Sequence, residues 1–173
     1  MTVSPNSLIA ESLVGLGLGI ALSPAAVYLH ESGHALAGKL LWTGAKTEIS
    51  MPRYGFFGHA ECRFSNVETL SYLGEILGEE NSRACRAAAG PLTDMIVSLA
   101  VLALSNSRLV ATATLFPALA PICYSIGYLS ADADAGSRGH DFANIAEWGG
   151  KGQYTAYSVA ALAVATLAMC KAF

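Results

Sequence analysis

The sequence predicts an all-α membrane protein: about four transmembrane helices, with a small β-hairpin and a surface amphipathic helix between helices one and two. Three observations predict it. Hydrophobic residues make up 53% of the 173 residues and charged residues only 13%, about half the charged share usual in soluble domains. Three runs carry no charge, Ser12 to Leu29, Leu109 to Ala131 and Tyr154 to Cys170, and a fourth, Ala87 to Leu104, carries only Asp94. Each is close to the roughly 20 apolar residues that span a bilayer. The few charges are bunched between these runs, so residues 1–173 read as a single membrane-embedded domain with the lipid bilayer as a partner. The low charge excludes intrinsic disorder. A net charge of −3 excludes the basic face of a nucleic-acid binder.

The elements follow in order. Helix one is expected at about 8–42, ending before Thr43-Gly44. The stretch before it, MTVSPNSLIAES, has no Lys or Arg, unlike the basic flank of a secretory signal. Pro24 removes one helical hydrogen bond and bends the chain. Gly19, Ser23, Ala26, Gly33, Ala37 and Gly38 are small, which lets a neighbouring helix approach. Residues 46–64 alternate around a Gly-rich turn and read as a hairpin. Residues 66–80 read as the surface amphipathic helix, with Glu79 and Glu80 at its polar end. Helices two, three and four are expected at about 86–105, 109–131 and 154–172, the third kinked at Pro117 and Pro121. Trp42, Trp148, Tyr154 and Tyr157 lie near run ends, where interfacial aromatics belong.

Lys39, Lys46, Arg53, Arg63, Arg83, Arg86, Arg138 and Lys151 fall on or beside the two larger loops, against Arg108 and Lys171 on the other side. That asymmetry predicts an external amino terminus and cytoplasmic loops, in the cytoplasmic membrane if the source is prokaryotic.

The chemistry concentrates at His30-Glu31-Ser32-Gly33-His34, an H-E-x-x-H pattern. On a helix His30 and His34 are one turn apart on one face. Two imidazoles so placed can take two tetrahedral positions on a zinc ion. Glu31 can hold the zinc-bound water and accept its proton. With four His in the chain, chance predicts about 0.005 such patterns. Ionisable groups after an uncharged span are costly unless they pair or bind metal.

The stretch Leu29-His30-Glu31-Ser32-Gly33-His34-Ala35-Leu36-Ala37-Gly38 in a first transmembrane helix resembles the site-2 protease family of intramembrane zinc metalloproteases. Ala88-Ala89-Gly90-Pro91-Leu92-Thr93-Asp94 resembles that family's A-G-P-L-x-N segment, with Asp94 where the family often has Asn. The hairpin after helix one also fits the family. Its N-P-x-x-x-L-D-G segment is absent; in its stead stands Gly139-His140-Asp141-Phe142-Ala143-Asn144-Ile145, in which Asp141 resembles the family's ligand Asp. The resemblance implies one zinc ion per chain held by His30, His34 and Asp141, Glu31 as general base, and a transmembrane protein as substrate, with the site toward the cytoplasmic side.

The residues leave alternatives open. Asp141 could cap a helix. His140 or Asp94 could be the third ligand instead, and Asp94 could bond a substrate carbonyl or oxyanion, or pair with Arg86. Glu79 and Glu80 would serve only a zinc site with a glutamate ligand. His59 reads as a hairpin-tip residue. Cys62, Cys85, Cys123 and Cys170 form no C-x-x-C pair. A zinc-binding multi-pass protein without protease activity, regulatory or chaperone-like, is the competing reading. Four His are too few for a multi-histidine di-iron site.

Overall fold

The computed structural model describes residues 5–51, 60–130 and 141–173. The described residues are mostly helical, 81%, with one two-stranded antiparallel sheet among them. Helix α1 spans Pro5–Leu41, strands β1 and β2 span Lys46–Ser50 and Glu61–Ser65, and helices α2 to α5 span Tyr72–Leu77, Glu79–Leu104, Arg108–Ser130 and Asp141–Ala172. Four of them, α1, α3, α4 and α5, are long and apolar enough to cross a membrane. Leu13, Leu22, Leu36, Ile96 and Leu162 face outward, which is compatible with lipid around the bundle and costly in water.

The sheet positions side chains as its alternation predicts. Ile49 pairs with Cys62 and Thr47 with Phe64. These four lie on the more buried face, while Lys46, Glu48 and Arg63 lie on the exposed one. The end of α1 is tied to the segment after β2. Thr43 N–H donates to Thr69 O and Ser71 N–H to Leu41 O, each at 2.9 Å.

Two boundaries depart from expectation. The surface helix expected over 66–80 is only α2, six residues long, and Glu79 and Glu80 belong to the first turn of α3. Gly78, at φ 80°, breaks the chain between them in a conformation that L side chains rarely adopt. The two glutamates then complement the amino-terminal dipole of α3, and Glu79 pairs with Arg83 at 2.5 Å. So α3 begins seven residues before the expected start at 86. The last helix likewise starts at Asp141 rather than 154, with a break at Gly150, φ 72° and ψ 174°.

Two apolar clusters hold the bundle. Met95, Leu102, Ala111, Leu115, Ala118, Ala161, Val164 and Ala168 join α3, α4 and α5. Ala87, Ala88, Phe142 and Ile145 join the start of α5 to α3. The second cluster matters more for the site, because it seats the residue next to Asp141.

Candidate metal centre

One stripe of α1 carries His30, His34 and Gly38, spaced one turn apart, and Trp42 follows just past the end of the helix. That stripe faces a stripe of α3 carrying Arg86, Gly90 and Asp94. Gly33 lets the two backbones meet: a Cβ there would lie 2.5 Å from Ala89 O and closer to Thr93 Oγ1. From the other side α5 brings in Asp141, anchored by the fully buried Phe142 and Ile145.

His30, His34 and Asp141 converge. The two Nε2 atoms are 3.2 Å apart. Asp141 Oδ2 is 3.0 Å from His30 Nε2, and Oδ1 is 3.2 Å from His34 Nε2. The rings stand edge-on, 76° apart. These residues form the one group of His, Cys, Asp and Glu able to hold a metal ion among the described residues.

The outer nitrogens decide which lone pairs point inward. His34 Nδ1 lies 2.8 Å from the Arg86 carbonyl, which can only accept. Nδ1 therefore carries a proton, and in the neutral ring Nε2 presents a lone pair. His30 Nδ1 lies 2.7 Å from Asp94 Oδ2, the carboxylate–histidine arrangement that orients metal-binding imidazoles. The two inward Nε2 atoms and the Asp141 carboxylate, turned toward one another, could hold a metal ion between them.

The residues fit a small divalent ion. Tetrahedral N and O ligands at ~2.1 Å stand about 3.4 Å apart, close to the separations here. Gly90 supplies the room: a Cβ on it would lie 2.6 Å from His30 Nε2 and closer still to His34 Nε2. A side chain there would take the seat of an ion bound by both rings.

Glu31 follows His30 on α1, is only 9% exposed, and lines the same cavity as the three converging residues. That cavity is about 450 Å³ and is also lined by Cys62, Phe64, Arg86, Asn144 and Trp148. Asp94 lines it too, but its Oδ2 is engaged by His30. The pair with Arg86 considered for Asp94 is not formed. His140 and His59 lie outside the described residues. Glu79 is exposed and paired with Arg83, away from the site.

Several wall residues were not legible as such. Trp42, expected at a lipid interface, is buried at 4% exposure and lies 4.9 Å over the Arg86 guanidinium. Phe64 covers it at 4.6 Å. Tyr154, also expected at the interface, has its hydroxyl donating to the Ser125 carbonyl at 3.1 Å. The one available signal for Arg86 was its position, one helical turn before Gly90 and two before Asp94.

The chain matches no family model, no curated protein and no solved structure.

Proposed function

We propose that this chain is a multi-pass intramembrane zinc metalloprotease that hydrolyses peptide bonds of membrane-spanning substrates. One observation carries the reading: the two Nε2 atoms and the Asp141 carboxylate converge beside the glutamate of an H-E-x-x-H pattern in one cavity. His30, His34 and Asp141 would hold the zinc. Zinc bound there supplies Lewis acidity, lowering the pKa of a water toward ~7.

The remaining work falls to side chains. Glu31 takes a proton from the attacking water and returns it to the leaving amine. Asp94 and the Arg86 carbonyl keep the two imidazoles turned so that Nε2 faces inward. Asp94 thus acts in this reading by positioning His30 rather than as a ligand or an oxyanion donor. A substrate helix must unwind before it can be cut, because its backbone is bonded internally. Strand β2, whose Cys62 and Phe64 line the cavity, offers a surface onto which the unwound segment can add. The apolar helices support insertion in a bilayer, and the Lys and Arg asymmetry supports an external amino terminus.

Glu31→Gln tests the reading. Zinc content should be unchanged, and cleavage of a reconstituted transmembrane substrate should fall by at least about 10²-fold. Cleavage at the parental rate would sink the mechanism. Stoichiometric zinc with no cleavage by the parent chain would favour a zinc-binding membrane protein without protease activity.

A further inference from the structure

Arg86 makes two kinds of contact, and only one is needed for the metal centre. Its backbone carbonyl holds His34. Its guanidinium lies between Trp42 and Phe64, and this cage is built from three elements. Trp42, which follows α1, forms an isolated bridge with Leu70. Phe64 sits on β2 against Gly38, where a Cβ would collide with its ring. Arg86 itself is in the second turn of α3.

Aromatic rings attract the face of a guanidinium but leave its five N–H donors, which lie in its plane, without acceptors. No ion pair among the described residues includes Arg86. The neighbouring Arg83 is paired with Glu79. Arg86 lines the 450 Å³ cavity together with Glu31 and Asp141. A cation at the end of an apolar span is costly without an anion. Glu31, Glu61, Asp94 and Asp141 line the same cavity, but among the described residues none forms an ion pair with Arg86.

We propose that Arg86 is an anion subsite of this cavity and binds a carboxylate of the peptide substrate, from an acidic side chain or a free carboxyl terminus. This inference rests on the peptidase reading above. A guanidinium held by its faces presents the fork that pairs a carboxylate through two N–H groups. A substrate chain lying along β2 would pass it on the way to Glu31.

The test uses the full-length chain, zinc-loaded in detergent, with Glu31→Gln to stop turnover. The probes are four fluorescent versions of one apolar nonapeptide, with a central Asp or Asn and a free or amidated carboxyl terminus. At least one carboxylate-bearing peptide should bind about tenfold more tightly than the neutral one, and the arm showing the gain identifies the source. Arg86→Gln should erase the preference while neutral-peptide binding persists, and Arg86→Lys should retain part of it. Equal binding of all four peptides overturns the subsite. So does a preference that survives Arg86→Gln, since zinc would then be the anion receptor. The first comparison keeps Arg86, so it is decisive even if a variant misfolds. If none of the four peptides binds, the peptidase reading itself falls, and the subsite with it.

Discussion

The seam between α1 and α3 and the pairing of α4 with α5 solve the same problem differently. Both must satisfy polar groups inside an apolar bundle. In α4 and α5 the hydroxyls find partners within the helix pair. Thr112 and Thr114 hydroxyls donate to carbonyls four residues back, and Ser125, Ser158 and Tyr154 bond one another. The rest is small apolar packing around Ala118, Ala161 and Ala168, all fully buried. In the α1–α3 seam the outer nitrogens of His30 and His34 are satisfied, but the inner ones face each other and Asp141. The first arrangement is complete by itself. The second gathers two imidazole nitrogens and a carboxylate into a group that could hold a metal ion.

The comparison can be broken hardest at Gly90. Gly90→Ala should abolish stoichiometric zinc binding with the circular dichroism of the bundle unchanged. Gly17→Ala, whose Cβ meets nothing within 4 Å, should leave zinc content intact. Zinc retained by Gly90→Ala would mean that the ion sits elsewhere.

The carboxylates should then separate. Asp141→Ala removes a ligand and should leave the purified protein without zinc. Asp94→Ala removes only the partner of His30 Nδ1, and metal affinity should fall roughly 10- to 100-fold, read by competition with a chelator. Equal losses in the two variants would erase the distinction between ligand and orienting residue.

The other half should respond in stability and not in metal binding. Ala161→Leu overfills a closed contact and should cost about 1–3 kcal/mol, seen as a lowered thermal midpoint at unchanged zinc affinity. A matching loss of zinc would show that the two regions are coupled.

The smallest effect concerns Cys62 on the cavity wall. Burial, then the Glu31 charge, pushes its thiol from 9.0 up to about 11. Alkylation should therefore be slow at pH 8, with its rate rising toward a midpoint near that raised value. Because the folded value lies above the ordinary one, the thiol's contribution to stability is full below pH 9 and lost as pH rises through about 11. A midpoint at the ordinary value would put Cys62 in open solvent.

Much of the site was readable from spacing. His30 and His34 are one turn apart in a helix whose apolar run is unambiguous, so their shared face follows from helical geometry. The hairpin was readable because alternation over a few residues marks half-buried strands. The boundary between α2 and α3 and the break within α5 were not, because single glycines at positive φ set them. Gly78 and Gly150 adopt that conformation, whereas Gly17, Gly33 and Gly90 are helical, and composition does not separate the two groups. Trp42 packs inward rather than toward lipid, because aromatic position in a run does not reveal which helix face is buried.

By itself the sequence determined the helical class, the apolar spans, the paired imidazoles and the nearby glutamate, because each depends on local periodicity or on neighbours in the chain. Only the tertiary structure decided which acid meets the histidines. Asp141 is 107 residues from His34, and its choice over Asp94 depends on Phe142 and Ile145 seating the start of α5 against α3. The same packing turned Asp94 toward the outer nitrogen of His30 and enclosed Arg86 between two rings. Those roles belong to distances across the bundle, which no spacing along one chain encodes.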